Sequence, residues 1–213
     1  ITWQDERIGS NDDIYAQHIS ADGKVQWQTD GVTICTASGF QYYPIIVSDG
    51  SGGAIITWID NRSGSDFNVY AQRINAAGTL QWTANGVAIC TATGSQSHQT
   101  IVSDGSGGAI ITWDDYRSGS NDDIYAQRIN AAGLVQWTAN GVAICTVSWH
   151  QLFPTIISDG SGGAIITWSD NRTGGIISDI YAQRINAAGV VQWTVDGVAI
   201  CTATGSQSNA TLV

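Results

Sequence analysis

The run at 48–90, SDGSGGAIITWIDNRSGSDFNVYAQRINAAGTLQWTANGVAIC, recurs almost unchanged at 103–145 and 158–201, and its later part opens the chain at 1–35. The Trp of ITW falls at Trp3, Trp58, Trp113 and Trp168, 55 residues apart each time. The Tyr of YAQ stands at Tyr15, Tyr70, Tyr125 and Tyr181, and the repeat ends on Cys35, Cys90, Cys145 and Cys201. The fourth copy carries one extra residue within 173–179. A fixed period of this length confines a chain to repeat architectures, because each unit must bury its apolar face against a neighbour of the same kind.

Within one period the pattern is that of four short strands, a to d. In the second copy, strand a ends at 48. DGSGG at 49–53 supplies the positive φ of a tight hairpin turn. Strand b at 54–60 is a continuous apolar run suited to burial on both faces. A polar loop at 61–66 leads to strand c at 69–75. The AAG turn at 76–78 leads to strand d at 79–90, with a bulge expected at Asn85-Gly86. Four antiparallel strands per repeat, joined by short turns, make a β-propeller blade. No segment shows a 3.6-residue apolar period, which excludes helical repeats. The fold expected is therefore all-β: a single propeller domain over 1–213 with four blades near 1–47, 48–102, 103–157 and 158–213. The chain begins inside strand b and stops after strand a, lacking between them one SDGSGGAI. This predicts that strands from both termini complete one blade. The alternative is a four-repeat window on a longer array, closing at eight blades through two chains.

Composition agrees and removes several partners. Thr, Val, Ile, Tyr and Trp are plentiful and strong helix formers are thin, which favours strands. Charged residues are 12%, against about a quarter in average proteins, and the net charge is -10. That charge argues against nucleic acid, which calls for a basic footprint, and against an anionic membrane surface. No apolar run approaches the roughly 20 residues of a membrane span. With no Met and no signal peptide visible, Ile1 reads as the start of a mature or excised piece. The four Cys hold one equivalent place per repeat and form no CxxC, so four buried thiols are expected, with no metal site and no cofactor.

Differences between the copies collect in two places: the b–c loops (6–13, 61–68, 116–123, 171–179) and the d–a connections (37–43, 92–99, 147–154, 203–210). In an up-and-down blade these share one face of the disc. Loops on a rigid frame are where binding sites are built. They hold the unusual side chains Phe40, Tyr42, Tyr43, His98, Tyr116, Trp149 and His150, which are the candidate ligand-binding residues, since aromatics offer large contact area to sugar faces or partner surfaces. Leu152 and Phe153, beside Pro154, are expected to be buried.

Each repeat carries Trp-x-Asp-x-Arg, as in Trp58/Asp60/Arg62. Four copies of one motif point to a structural clamp rather than four active sites. Arg73, Arg128 and Arg184 of strand c are expected to meet that Asp of the same blade. The acidic b–c loops lack the alternating spacing of a dedicated Ca²⁺ site and read as solvated loops. His18, His98 and His150 stand at different places in the repeat, and no nucleophile elbow, phosphate loop or HExxH appears.

The run DGSGGAIITWxDxRSGSxDIYAQRINAAGxxQWTANGVAIC resembles a repeat of large secreted bacterial proteins of Bacteroidetes-like lineages, over essentially the whole chain. The resemblance implies an extracellular propeller-like repeat and names neither ligand nor catalytic residue. Together these readings lead to a secreted, non-enzymatic binding or adhesion propeller that recognises a glycan or protein surface, as a monomer, a homo-oligomer or part of a longer array. The alternatives are a structural assembly unit and, less favoured, a glycan hydrolase.

Overall fold

The computed structural model describes residues 1–9 and 11–213. It is all-β, with one antiparallel sheet per repeat. The first blade holds β1 (Thr2–Asp5), β2 (Asp13–Ala16) and β3 (Val32–Cys35). The second holds β4 (Gln41–Ser48), β5 (Ala54–Asp60), β6 (Asn68–Ile74) and β7 (Val87–Cys90). The third holds β8 (Gln96–Ser103), β9 (Ala109–Asp115), β10 (Asp123–Ile129) and β11 (Val142–Cys145). The fourth holds β12 (Gln151–Ser158), β13 (Ala164–Asp170), β14 (Asp179–Ile185) and β15 (Val198–Cys201). Strand order follows chain order in every sheet, so the propeller-blade architecture is as expected.

In blades two and three strand b is buried along its whole length, as its unbroken apolar run requires. The DGSGG turn is fixed by its aspartate. Asp49 Oδ1 accepts from the backbone N–H of Ser51 and Gly53, each at 2.8 Å. Gly53 is obligatory, because a Cβ there would stand 2.3 Å from the Ile74 carbonyl oxygen. Arg73 closes the turn through Nη2 to Asp49 Oδ2 at 2.8 Å, and Arg128 and Arg184 do the same to Asp104 and Asp159. The strand c arginines therefore bind the turn aspartate, not the Trp-x-Asp-x-Arg aspartate expected from the sequence. Strand d is also shorter than expected. The side chain of Gln72 donates to the Thr83 carbonyl and accepts from Trp82 N–H, which holds 81–86 as a looped entry rather than a ladder.

Trp-x-Asp-x-Arg is a clamp. Asp60 takes the Trp58 indole N–H at 2.8 Å and the Arg62 guanidinium at 2.6 Å, and that guanidinium lies over the Tyr70 ring. Three apolar cores fill the spaces between neighbouring blades. In the first of them Ile14, Ile34 and Cys35 of blade one pack on Ile56, Trp58 and Ile74 of blade two. Cys35, Cys90 and Cys145 are buried free thiols and burial pushes each up to about 12; Cys201 is only half-buried.

The termini depart from the expected closure. The first sheet has three strands, and residues 202–213 form no strand. The tail instead runs on from the fourth blade. Gln207 N–H donates to the Ser178 carbonyl, repeating the bonds of Gln41 to Asp12, Gln96 to Phe67 and Gln151 to Asp122. Thr155 Oγ1 donates to the Ala210 carbonyl at 3.3–3.4 Å, as Thr100 does to Pro154. The tail thus takes the place that strand a takes one blade further on. Among the described residues, no strand pairing and no backbone hydrogen bond joins this tail to β1, so the arc stays open.

Candidate functional site

The register brings the b–c and d–a loops to one end of every sheet: Gln41 pairs with Asp60, Asp60 with Asn68, and Val69 with Cys90. At this end each strand a is broken by a bulge. The register of β4 slips between Tyr42 and Ile45, that of β8 between Ser97 and Thr100, and that of β12 between Leu152 and Thr155. The bulge puts one residue per blade into the left-handed region: Tyr43 (φ 53°), His98 (φ 48°), Phe153 (φ 56°) and, in the tail, Asn209 (φ 56°). Non-glycine residues pay strain for that conformation, and bulges re-aim a side chain. All four point into solvent. Phe153, expected to be buried, is 50% exposed for this reason, while Leu152 is half-buried.

A cavity of about 620 Å³ opens between the second and third blades. Tyr42, Tyr43, Ile45, Ile59 and Phe67 form its apolar wall; Gln96, Ser97, His98 and Gln99 form the polar one. Phe40 stacks behind Tyr42 at 5.5 Å between ring centres, and Tyr42 tilts against Phe67 at 6.1 Å. Two backbone-directed bonds set the rim: Gln99 Nε2 donates to the Tyr43 carbonyl at 2.6 Å, and Tyr43 N–H donates to Gln4 Oε1 at 3.0 Å.

His98 is the chemically distinctive group at this cavity. Its Nδ1 lies 2.7 Å from Asp114 Oδ2, and its ring meets Phe153 edge-on at 4.5 Å. The Asp114 side chain is wholly buried, with Oδ1 lacking any hydrogen-bond partner, whereas half of the His98 side chain is open to solvent. The bond to Asp114 raises the His98 pKa. Burial pushes the Asp114 carboxyl up, and the nearby Asp122 carboxylate acts in the same direction on both groups. The pair can therefore hold and pass one proton at a site with a solvent-facing imidazole.

The remaining expected residues lie apart from the cavity lining. His150 Nδ1 is 2.7 Å from Asp122 Oδ2, at the step from blade three to blade four. Trp149 rests against the fourth b–c loop, within 3.5 Å of where a Gly174 Cβ would stand. Tyr116 is exposed, and its N–H is tied to the Ser95 carbonyl. The structure thus gathers Tyr42, Tyr43 and His98, with Phe40 in support, and leaves Tyr116, Trp149 and His150 outside. Asp114 was missed in the sequence. Its signal was there: the other repeats have Gln4, Ile59 and Ser169 at that place. Among the described residues, no group of three or more His, Cys, Asp or Glu is placed to hold a metal.

No protein-family model matches the chain, and no curated protein matches it significantly. Solved structures do. An endo-arabinase from Bacteroides thetaiotaomicron VPI-5482 is similar at a TM-score of 0.47 and 14% identity, over 97% of this chain and 76% of that one. An endo-1,4-beta-xylanase from the same organism is similar at a TM-score of 0.42 and 8% identity, over 92% of this chain and 60% of that one. Both are enzymes by name, in contrast to the non-enzymatic binding or adhesion propeller expected from the sequence. Likeness at this level transfers neither substrate nor residue roles to the present chain.

Proposed function

We propose that the chain carries an acid–base catalytic site in which His98, oriented by buried Asp114, exchanges a proton with a hydroxyl or water held at the cavity between blades two and three. The observation that carries this reading is the burial of Asp114. A carboxyl enclosed by protein, with one oxygen unpaired, is costly to a fold. The other blades fold with Gln4, Ile59 or Ser169 at that position, so the blade does not need it. A carboxyl behind a solvent-facing imidazole fixes its tautomer and stabilises its protonated form, which is how general bases are positioned. The aromatic wall of Tyr42, Tyr43 and Phe67 facing a polar wall suits a hydroxylated ring such as a sugar.

Hydrolysis of a panel of 4-nitrophenyl glycosides and esters tests the reading, with rates followed against pH. The expected result is turnover that falls by roughly 100-fold or more in His98→Gln, the scale of a lost general base, and a rate–pH limb that shifts in Asp114→Asn. Turnover unchanged in both variants, or no turnover on any substrate, defeats it.

A further inference from the structure

The interface between neighbouring blades is built three times within this chain from the same parts. The indole N–H of Trp27 donates to the Ala76 carbonyl at 2.9 Å, that of Trp82 to Ala131 at 3.0 Å, and that of Trp137 to Ala187 at 3.1 Å. The N–H of Thr36, Thr91 and Thr146 donates to the side-chain oxygen of Asn85, Asn140 and Asp196, each at 3.0 Å. The thiols of Cys35, Cys90 and Cys145 approach the clamp aspartates Asp60, Asp115 and Asp170 at 3.7–3.9 Å.

One half of this interface is left unused at each end of the arc. On blade four, Trp193 is 38% exposed where Trp82 is 8%, and Ile200 is 60% exposed where Ile89 is 2%. On blade one, Ile19 is 45% exposed where Ile74, Ile129 and Ile185 are fully buried. The acceptors there are already set. Asp30 has the same left-handed backbone (φ 65°) as Asn85, Asn140 and Asp196, and the Asp5 clamp is formed on Trp3 and Arg7. Beside them lies a cleft of about 510 Å³ lined by Trp3, Arg7, Gln17, Val25, Asp30 and Gly31. The first sheet also lacks a strand a, while the tail beyond blade four occupies the strand a position of a next blade.

We infer that two copies of this chain dock head to tail, blade four of one against blade one of the other. Trp193, Ile200 and Cys201 of the first copy enter the face formed by Ala21, Asp30 and Asp5 of the second. The tail of the first copy becomes the fourth strand of the second copy's opening sheet. The occupant is a second copy because this chain carries both halves of an interface it already builds three times, and because no hydrogen bond among the described residues joins its own tail to β1. The contact is heterologous, so it closes into a ring or extends as a chain according to the rotation per copy.

Sedimentation velocity over a hundred-fold concentration range tests this on the 213-residue chain, with Ile200→Asp and Ile19→Asp as variants. Both positions are exposed in the lone chain, so the variants keep the fold, which near-UV circular dichroism verifies. The expected result is concentration-dependent association of the parent chain, monomers for each variant alone, and a one-to-one dimer when the two variants are mixed, because each retains the half the other lacks. A parent chain that stays monomeric, variants that associate like the parent, or a mixture that stays monomeric each overturns the inference.

Discussion

His98 Nδ1 and Asp114 Oδ2 stand 2.7 Å apart, one residue half open to solvent and the other wholly enclosed. No other blade has this pair. It is a place where this arc departs from its own repeat, and its titration is the first thing to measure.

The His98 pKa is raised above the ordinary 6.5 by its bond to Asp114. A raised histidine gives stability that is complete below pH 6.5 and is lost as pH rises through the folded-state value. The Asp114 carboxyl, raised by burial, acts in the same sense. Denaturation midpoints are expected to fall as pH rises above neutrality in the parent chain, and to fall less in Asp114→Asn. Histidine NMR titration is expected to show the His98 value dropping toward 6.5 in that variant.

Asp123 offers a second pH dependence with a precedent in the chain itself. Burial pushes its carboxyl up from 3.8 to about 6, and blade two has Asn68 at the same place. Stability tied to its proton is present below pH 3.8 and is lost as pH rises through about 6. Asp123→Asn keeps an oxygen for the Asn121 amide and sheds the charge. It is expected to stabilise the chain by about 1 kcal/mol at pH 7.5, after allowance for solvent screening, and to change nothing at pH 4, as read by urea denaturation.

The clamp aspartates are unequal. Asp60 is wholly buried and holds Trp58 and Arg62, while Asp5 sits at the open end of the arc. Asp60→Ala leaves the Trp58 indole N–H without its acceptor and the partly buried Arg62 guanidinium without its carboxylate, and is expected to cost about 3 to 5 kcal/mol. Asp5→Ala is expected to cost about 1 kcal/mol or less. Paired denaturant titrations of the two variants check the difference.

Thiol labelling reports the ends of the arc. Cys35, Cys90 and Cys145 are buried with pKa values pushed up to about 12, and Cys201 is half-buried on the uncovered blade. In the monomeric Ile19→Asp variant under native conditions, iodoacetamide is expected to modify Cys201 first, with the other three reacting only on unfolding. Peptide mass spectrometry after a time course reads the order.

Much of this was legible in the residues. The period gave the blades, the glycines of DGSGG gave the turns, and the Trp-x-Asp-x-Arg motif gave the clamp, because each is a local pattern repeated until chance is excluded. The bulge was not legible. It shows no glycine at Tyr43, His98 or Phe153, and a left-handed residue without glycine leaves no compositional trace. For the same reason Phe153 looked like core. Asp114 is hard to single out because it precedes Asp115 and reads as a second clamp acid, although neighbours on a strand alternate faces. The path of the tail was hidden as well. Both ends of the chain fit the same blade on paper, and only the pairing of the first sheet, which holds β1, β2 and β3 and no strand from the tail, shows that they do not meet.

The plug-and-socket faces have a consequence for how such a chain can change length. Each blade brings one donor side, with Trp82 as the example, and one acceptor side, with Ala76. Inserting or deleting a whole period leaves the two outermost faces chemically as they were. Unequal recombination between near-identical gene segments can then lengthen or shorten the arc without a compensating mutation. Selection acts afterwards on single positions such as 114, where one blade is free to differ because the other three already secure the fold.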